Sequence, residues 1–482
     1  MVSSERQLER GSDSISQALD QAPLSLFHLR AVLIAGLGFF TDAYDLFIIG
    51  PALVLIRGEW HLSTSMVGLV GSTTLIANFV GALVFGRLAD ILGRKKLYGL
   101  VAAIMTAGAV LSALAPNLAW LLVFRFILGL GIGGDYPISA VIMSEYANVK
   151  DRGKLVGMVF SMQALGLIAG PIVAITLLAS GLPHDLIWRI LLGLGAIPAL
   201  SVIYARSRMP ESPRFQAQVL GRATTAAQSL GEYTQGQVAA TARAEGGRAR
   251  RMTLREFLTH GHMLKVLIGT AGTWFLFDYA YYGNSISTPL IMQWVAPHAD
   301  LLQSEAWTLI VFAIAALPGY ALAVAKIDKV GHRRLQMLGF AVMGLTFLAM
   351  GAVPGMTQQV LPFLVLYGVS YFFAEFGPNM TTFVLAAEVF PVSVRTTGHG
   401  LSAGVAKLGA FIGVFLFPVI LHTFGLRGTF IITCIFSGLG WALSWLVPEP
   451  TNRSIDDPSL LDTEASRKPR EARPYSTVAR AK

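Results

Sequence analysis

The 482-residue sequence predicts an all-α membrane protein, with twelve transmembrane helices in two pseudo-symmetric six-helix halves. Three observations carry this expectation. The first is composition: 54% of the residues are hydrophobic and only 13% are charged, against about 25% charged in a soluble domain, and the mean hydropathy is +0.59. The second is a recurrence of apolar runs, each near the ~20 residues that cross a bilayer. The third is a set of motifs that occurs once in each half. Such a composition excludes a disordered chain, which is poor in apolar residues, and argues against a large soluble enzyme. The one cysteine, Cys434, allows neither an intrachain disulfide nor a cysteine-rich metal site, and the histidines show no metal-ligand spacing.

In chain order, residues 1–29 are polar with both charge signs and read as a cytoplasmic N-terminal tail, with no cleavable signal before the first span. Spans at 30–56, 66–90, 96–115, 118–142, 154–180 and 187–206 form the first half, 30–206. The stretch 207–262, rich in Ala, Gly, Gln, Thr and Arg, reads as a cytoplasmic linker. Spans at 263–293, 303–327, 334–353, 358–384, 397–422 and 427–447 form the second half, 263–447. The polar stretch 448–482 reads as a disordered cytoplasmic tail. Basic residues cluster in alternate loops: Arg94, Lys95 and Lys96, then Lys150, Arg152 and Lys154, then Lys329, Arg333 and Arg334. The intervening loops are nearly bare, so the positive-inside rule puts both termini in the cytoplasm of a multi-pass cell-membrane protein. This placement accounts for most of the net charge of +9 without nucleic acid.

The halves echo each other. Asp90-x-x-Gly93-Arg94-Lys95-Lys96 recurs as Asp328-x-x-Gly331-His332-Arg333-Arg334, and Pro210-Glu211 recurs at the same offset as Pro448-Glu449. Glu145 precedes Arg152 at the spacing at which Glu388 precedes Arg395. Two six-helix repeats around a midplane path are the architecture of many secondary transporters. The run Gly86-Arg-Leu-Ala-Asp90-Ile-Leu-Gly93-Arg94-Lys95-Lys96 resembles the signature loop of the major facilitator superfamily, and Pro210-Glu-Ser-Pro-Arg-Phe215 is similar to the motif after its sixth helix. Charge pairs among Asp90, Arg94, Glu145, Arg152, Asp328, Arg333, Glu388 and Arg395 are expected to form a cytoplasmic gate. Gly129-x-Gly131-x-x-Gly134 matches a dinucleotide fingerprint but lies inside an apolar helix, without the strand that motif needs. Its glycines permit either close helix packing or local unwinding.

A charge at mid-membrane costs roughly 2.5–3.5 kcal/mol on insertion scales, so each one is a candidate for function, with a structural ion pair as the alternative. Asp42 and Asp45 in span 1 are three apart and share a helix face; two carboxylates facing one wet cavity favour proton carrying. Span 4 holds Arg125 and Asp135, about 15 Å apart along a helix, the latter in Gly133-Gly134-Asp135-Tyr136-Pro137, where the helix is weakened. Span 7 puts Trp274, Asp278 and Tyr282 on one stripe, and span 10 holds Glu375 beside Gly377-Pro378-Asn379. Lys407 in span 11 is either a cation for substrate or a partner for a carboxylate. Gln163 in span 5 either contacts substrate or bonds between helices. A sugar site would hold fewer charges, and a metal site would cluster carboxylates or histidines away from cations. A small oxyanion that carries protons fits better: dihydrogen phosphate donates from its hydroxyls to an ionised Asp and accepts from Tyr, Trp, Asn, Gln and Lys. Sulfate at neutral pH has no such hydroxyls.

The run Gly133-Gly-Asp-Tyr-Pro-Ile-Ser-Ala-Val-Ile-Met-Ser-Glu-Tyr-Ala-Asn148 resembles the signature of the phosphate:proton symporters of fungi and plants. Phe39–Phe47, Trp274-Phe-Leu-Phe-Asp278 with Tyr281-Tyr282-Gly283, and Phe376-Gly-Pro-Asn379 are similar to their first, seventh and tenth helices. The resemblance implies import of inorganic phosphate with protons, no cofactor and no obligate protein partner. It implies phosphate contacts from Tyr136, Gln163, Trp274, Asp278, Tyr282, Asn379 and Lys407, and proton coupling by Asp42, Asp45, Arg125 and Asp135. The sequence departs from that pattern at Glu375, where the family usually has Asn, and after Tyr282. The other readings are a proton symporter of the same fold for a sugar or organic anion, and a non-transporting sensor, whose long cytoplasmic domains are missing here.

Overall fold

The structure is a computed structural model and describes residues 15–233, 252–299 and 301–457. The first half comprises α1 (Leu26–Trp60), α2 (Thr64–Leu92), α3 (Arg94–Ala113), α4 (Leu118–Tyr146), α5 (Arg152–Leu178) and α6 (His184–Arg208). The second comprises α7 (Gly261–Ile286), α8 (Leu302–Val330), α9 (His332–Ala352) and α10 (Val360–Glu388), then one helical stretch, Arg395–Leu443. That stretch breaks at Gly425, where φ is 66° and ψ 179°, into α11 (395–424) and α12 (426–443).

Ten helices among the described residues are long and apolar enough to cross a membrane. The last of them, Arg395–Leu446, has 52 residues, or roughly 78 Å of straight helix against a hydrocarbon core of about 30 Å. The break at Gly425 divides it into spans eleven and twelve. The seventh expected span, α7, falls short of the apolar mark because it carries Lys265, Trp274, Asp278 and Asn284. It also ends at Ile286 rather than running to 293, and a separate helix, Thr288–Val295, follows with a proline in its first turn.

The repeat is visible in the backbone. Gly93 and Gly331 stand at matching positions with φ of 98° and 103°, a region that favours glycine, and each turns the chain between two helices. Glu211 accepts from the Lys95 amide at 3.2 Å, and Glu449 accepts from the His332 and Arg333 amides at 3.0 Å each. A carboxylate thus caps the N-terminus of the third helix of each half, where the helix dipole is positive.

The halves meet where α2 crosses α11 and where α5 crosses α8. A Cβ added at Gly400 would lie 2.4 Å from the Ala82 carbonyl, and one at Gly153 would lie 2.4 Å from Asp328 Oδ1, so only glycine admits these approaches. The glycines of α4 likewise serve packing: a Cβ at Gly133 would lie 2.1 Å from the Asn78 carbonyl. The unwinding left open for Gly133–Pro137 does not occur, since α4 is helical throughout. The expected break in span 10 does occur, as a π-helical turn at Glu375–Asn379 in which Gly377 has φ −114° and ψ −106°.

The tails are more ordered than their composition suggests. Ile15–Gln21 is a helix with Ile15, Ala18 and Leu19 buried, and Ile455 is buried near the far end. The expectation of a disordered tail is therefore wrong for 449–457, which packs against Arg152, Arg214 and Arg395. Positions 1–14, 234–251 and 458–482 of the expected tails and linker lie outside the described residues.

Candidate functional site

Side chains from both halves converge in one buried hydrogen-bond network. Asp42 on α1 accepts from the Tyr136 hydroxyl of α4 at 2.5 Å and from Gln163 Nε2 of α5 at 3.2 Å. Gln163 Nε2 also donates to the Tyr136 oxygen at 3.0 Å. Across the midline, the Tyr320 hydroxyl of α8 donates to Gln163 Oε1 at 3.2 Å, and Asn379 Nδ2 of α10 donates to the Tyr320 oxygen at 2.8 Å and to Glu375 Oε2 at 2.5 Å. Tyr281 of α7 donates to Glu375 Oε1 at 2.7 Å. The π-helical turn places Glu375 and Asn379 in this network, an instance of such turns occurring at special positions. Tyr320 and Tyr281 had not been singled out as site residues; both sit in apolar runs where tyrosine is an ordinary packing residue.

The second cluster is built around Lys407 of α11. Its ammonium donates to Asp278 Oδ2 at 3.0 Å and to the Tyr282 oxygen at 3.1 Å. It lies 4.3 Å from the centre of the Tyr282 ring and 4.7 Å from that of Tyr136, within reach of a cation–π attraction. Trp274 packs 6.1 Å from Tyr136 and edge-on to His399 at 5.5 Å. Tyr136 therefore touches both clusters. The structure brings Asp42, Tyr136, Gln163, Trp274, Asp278, Tyr282, Asn379 and Lys407 to one buried region between the halves, with one cation, two carboxylates and several neutral donors. Asp42 Oδ1 and Asp278 Oδ1 are buried without a hydrogen-bond partner among the described residues.

Two other membrane carboxylates, Asp45 and Asp135, are paired with arginines. Asp45 meets Arg125 Nη1 at 2.6 Å, so the two carboxylates of α1 have different partners. Asp135 bonds Arg206 of α6 twice, at 2.5 and 3.0 Å, and accepts from Ser139 at 2.9 Å. Arg206 also lies 4.4 Å over the Tyr98 ring. The sequence reading missed Arg206 because it stands at the end of a span, beside Arg208, where cations usually face the membrane surface. Asp135 thus faces α6, and only its neighbour Tyr136 enters the central network.

The end of the bundle that carries the expected gate residues is closed by bonds between the halves. Asp90 accepts from the Thr396 and Thr397 amides at 3.3 and 2.7 Å, at the N-terminus of α11. Asp328 accepts from the Gly153 and Lys154 amides at 3.0 and 2.7 Å, at the N-terminus of α5. Glu145 meets Arg94 and Arg395 at 3.2 Å each, and Glu388 meets Arg152 at 3.2 Å. Arg333 does not join this network. It bonds the Val447 carbonyl at 3.2 Å and stacks near Trp445 within its own half. The repeat aligns His332, not Arg333, with Arg94, and His332 lies 3.4 Å from both Asp328 and Glu388. The tails join the closed side: Arg214, buried, pairs with Asp20 at 2.5 Å and with Asp456, and Arg395 reaches Asp456 at 3.5 Å.

Residues 31–457 match the family model described as "Sugar (and other) transporter". The chain is 36% identical to inorganic phosphate transporter 1-4 of Arabidopsis thaliana, over 92% of its own length and 95% of the relative's. It is 35% identical to low affinity inorganic phosphate transporter 1 of Petunia hybrida, over 92% and 94%. Among solved structures, the major facilitator proton:xylose symporter XylE bound to 6-bromo-6-deoxy-D-glucose superposes with a TM-score of 0.75 at 19% identity, over 90% of this chain and 99% of that one. The human organic anion transporter MFSD10 gives 0.64 at 17%, over 86% and 99%. These likenesses establish the fold, and the family match over most of the sequence shows that the chain belongs to the sugar (and other) transporter family.

Proposed function

We propose that the protein imports inorganic phosphate together with protons across a cell membrane, with both termini in the cytoplasm. The observation that carries this reading is the buried set around Lys407: one cation, the carboxylates of Asp278 and Asp42, and the donors Tyr136, Gln163, Tyr282 and Asn379. Dihydrogen phosphate uses both kinds of partner. Its oxygens accept from lysine, tyrosine and amide, and its hydroxyls donate to a carboxylate. The plant relatives, named as inorganic phosphate transporters, support the same substrate. The likeness to a xylose symporter is one of fold, and a neutral sugar has no use for the paired charges of Asp278 and Lys407.

Transport follows by alternating access, each half rocking about the midplane site. The closed cytoplasmic bonds of Asp90, Asp328, Glu145 and Glu388 must break for phosphate to leave inward. Asp42 carries the coupled proton, because its bonds are to neutral groups and it can exist in either charge state. Asp45–Arg125 and Asp135–Arg206 hold the helices that flank it. Uptake of labelled phosphate into proteoliposomes under an inward proton gradient tests the reading, with sulfate, arsenate and glucose as competitors. Competition by arsenate and not by sulfate or glucose is expected; accumulation that ignores the proton gradient would refute it.

A further inference from the structure

The buried carboxylates of the membrane helices sort into two sets. Asp45, Asp90, Asp135, Asp278, Glu145 and Glu388 each have an arginine or lysine nitrogen within 3.2 Å. Asp42, Glu305 and Glu375 form no such ion pair among the described residues. Asp42 is the coupling group proposed above, and Glu305 lies apart from the network, beside Phe47, Pro51, Ser285 and Thr288. Glu375 is wholly buried and lies inside the network.

Its surroundings suit both charge states. From α7 it faces Tyr281, from α8 Tyr320, and along α10 Asn379, with Tyr371 one turn before it bonded to Ser285. α9 presents Gly339 to the π-helical turn, with Gln336 bonded to Thr381, and neither titrates. No cation faces Glu375 from any of these helices. A tyrosine hydroxyl donates to a carboxylate and, by rotating, accepts from a carboxylic acid. A proton added to Glu375 can therefore be accepted by a neighbouring hydroxyl, which an arginine neighbour could not do. The group also lies on a continuous path to Asp42: Glu375, Asn379, Tyr320, Gln163, Asp42.

We propose that Glu375 is a second proton-binding site on the transport path, linked to Asp42 through Asn379, Tyr320 and Gln163. It takes a proton from the outer side and gives it up to the cytoplasmic side in each cycle, so this chain moves one proton more per substrate than it would with a neutral residue there. The inference rests on the reading of the chain as a proton-coupled phosphate transporter.

Two measurements test it. The first is the proton-to-phosphate ratio from reversal potentials in proteoliposomes, for wild type and Glu375→Gln. The ratio should fall by one proton in the variant; an unchanged ratio overturns the proposal. The second needs no transport: infrared titration of purified protein should show a carboxylic C=O band that appears as pH falls, is lost in Glu375→Gln and persists in Asp42→Asn. Glu375→Asn, the residue of the resembled motif, serves if the glutamine variant does not fold. Absence of a band assignable to Glu375 overturns the proposal. A wild type that shows this band yet does not move phosphate supports the proton site and sinks the substrate instead.

Discussion

Substituting Asp278 by asparagine separates substrate recognition from structure, because it should act in opposite directions on two anions. Asp278 and Lys407 are 3.0 Å apart, and their side chains are 1% and 2% exposed. Phosphate bound beside them would place a hydroxyl on the carboxylate and an anionic oxygen on the ammonium. Removing the carboxylate charge removes one charge-assisted hydrogen bond, worth about 1.5–3 kcal/mol, or about one to two decades of affinity. The same change leaves Lys407 without its counterion, and an incoming anion relieves that. Sulfate, which uses the ammonium and has no hydroxyl to lose, should therefore bind as well as before or better. Phosphate should lose at least about tenfold on the same arithmetic. Calorimetry on the purified variant, with both anions at neutral pH, reads the difference. Equal losses for both would make Asp278 a structural partner of Lys407, and unchanged phosphate affinity would remove it from the site.

Asp135→Asn should act first on stability, since breaking a buried ion pair by removing one partner costs about 3–5 kcal/mol; a thermal melt matching wild type would contradict the pairing with Arg206, and Asp135→Asn with Arg206→Met should recover much of the loss. Asp90→Asn weakens the bonds to Thr396 and Thr397, so at about 1.5–3 kcal/mol the conformers should move tenfold to hundredfold toward inward-open; accessibility labelling of the cytoplasmic path that shows no change would count against the gate. The anchoring of 449–457 should not respond to pH between about 5 and 8. Burial alone would raise the Asp456 carboxyl, but the Arg214 and Arg395 guanidinium groups hold it down to about 2. Its folded value lies below its unfolded one, so the stabilisation is present above about pH 4 and is lost as pH falls toward 2. Hydrogen exchange in that segment should stay flat across the neutral range, and a midpoint near pH 6 would exclude Asp456 as the anchor.

Hydropathy and repeated loop motifs were enough to foresee the helices, because a span needs only length and apolarity. α7 was legible despite its polar face, through the stripe Trp274, Asp278, Tyr282, which meets Lys407 on one side. Pairings between distant helices were not legible. Spacing alone puts Asp42 and Asp45 on one face, but Arg125 takes Asp45 while Tyr136 takes Asp42. Asp135 looked free because its partner, Arg206, lies 71 positions away, where local pattern carries no information. The tails misled for a different reason. Residues 449–457 are polar, yet their backbone carbonyls and Asp456 satisfy Arg152, Arg214 and Arg395 on the gate, so order there comes from charge pairing and not from an apolar core.

The duplication also bears on why one carboxylate is suited to protons and the other to substrate. Asp42 lies on the first helix of the first half and Asp278 on the first helix of the second, and each bonds to the fifth helix of its own half. In the first half that partner is Gln163, at 3.2 Å; in the second it is Lys407, at 3.0 Å. The frame is the same and the charge differs. An amide satisfies a carboxylate in either protonation state by turning, whereas an ammonium favours the ionised form and opposes protonation. On the proposed reading, Asp42 is the group that takes the proton. On the same reading, Asp278 is the carboxylate that a phosphate hydroxyl meets, beside the Lys407 ammonium that its oxygens need. Exchanging the two partners, by Gln163→Lys with Lys407→Gln, should then exchange the roles: proton coupling would pass from Asp42 toward Asp278, and infrared titration of the two carboxyls would show which one protonates. A double variant in which Asp42 still titrates and Asp278 still does not would mean that the fifth-helix partner does not decide the division.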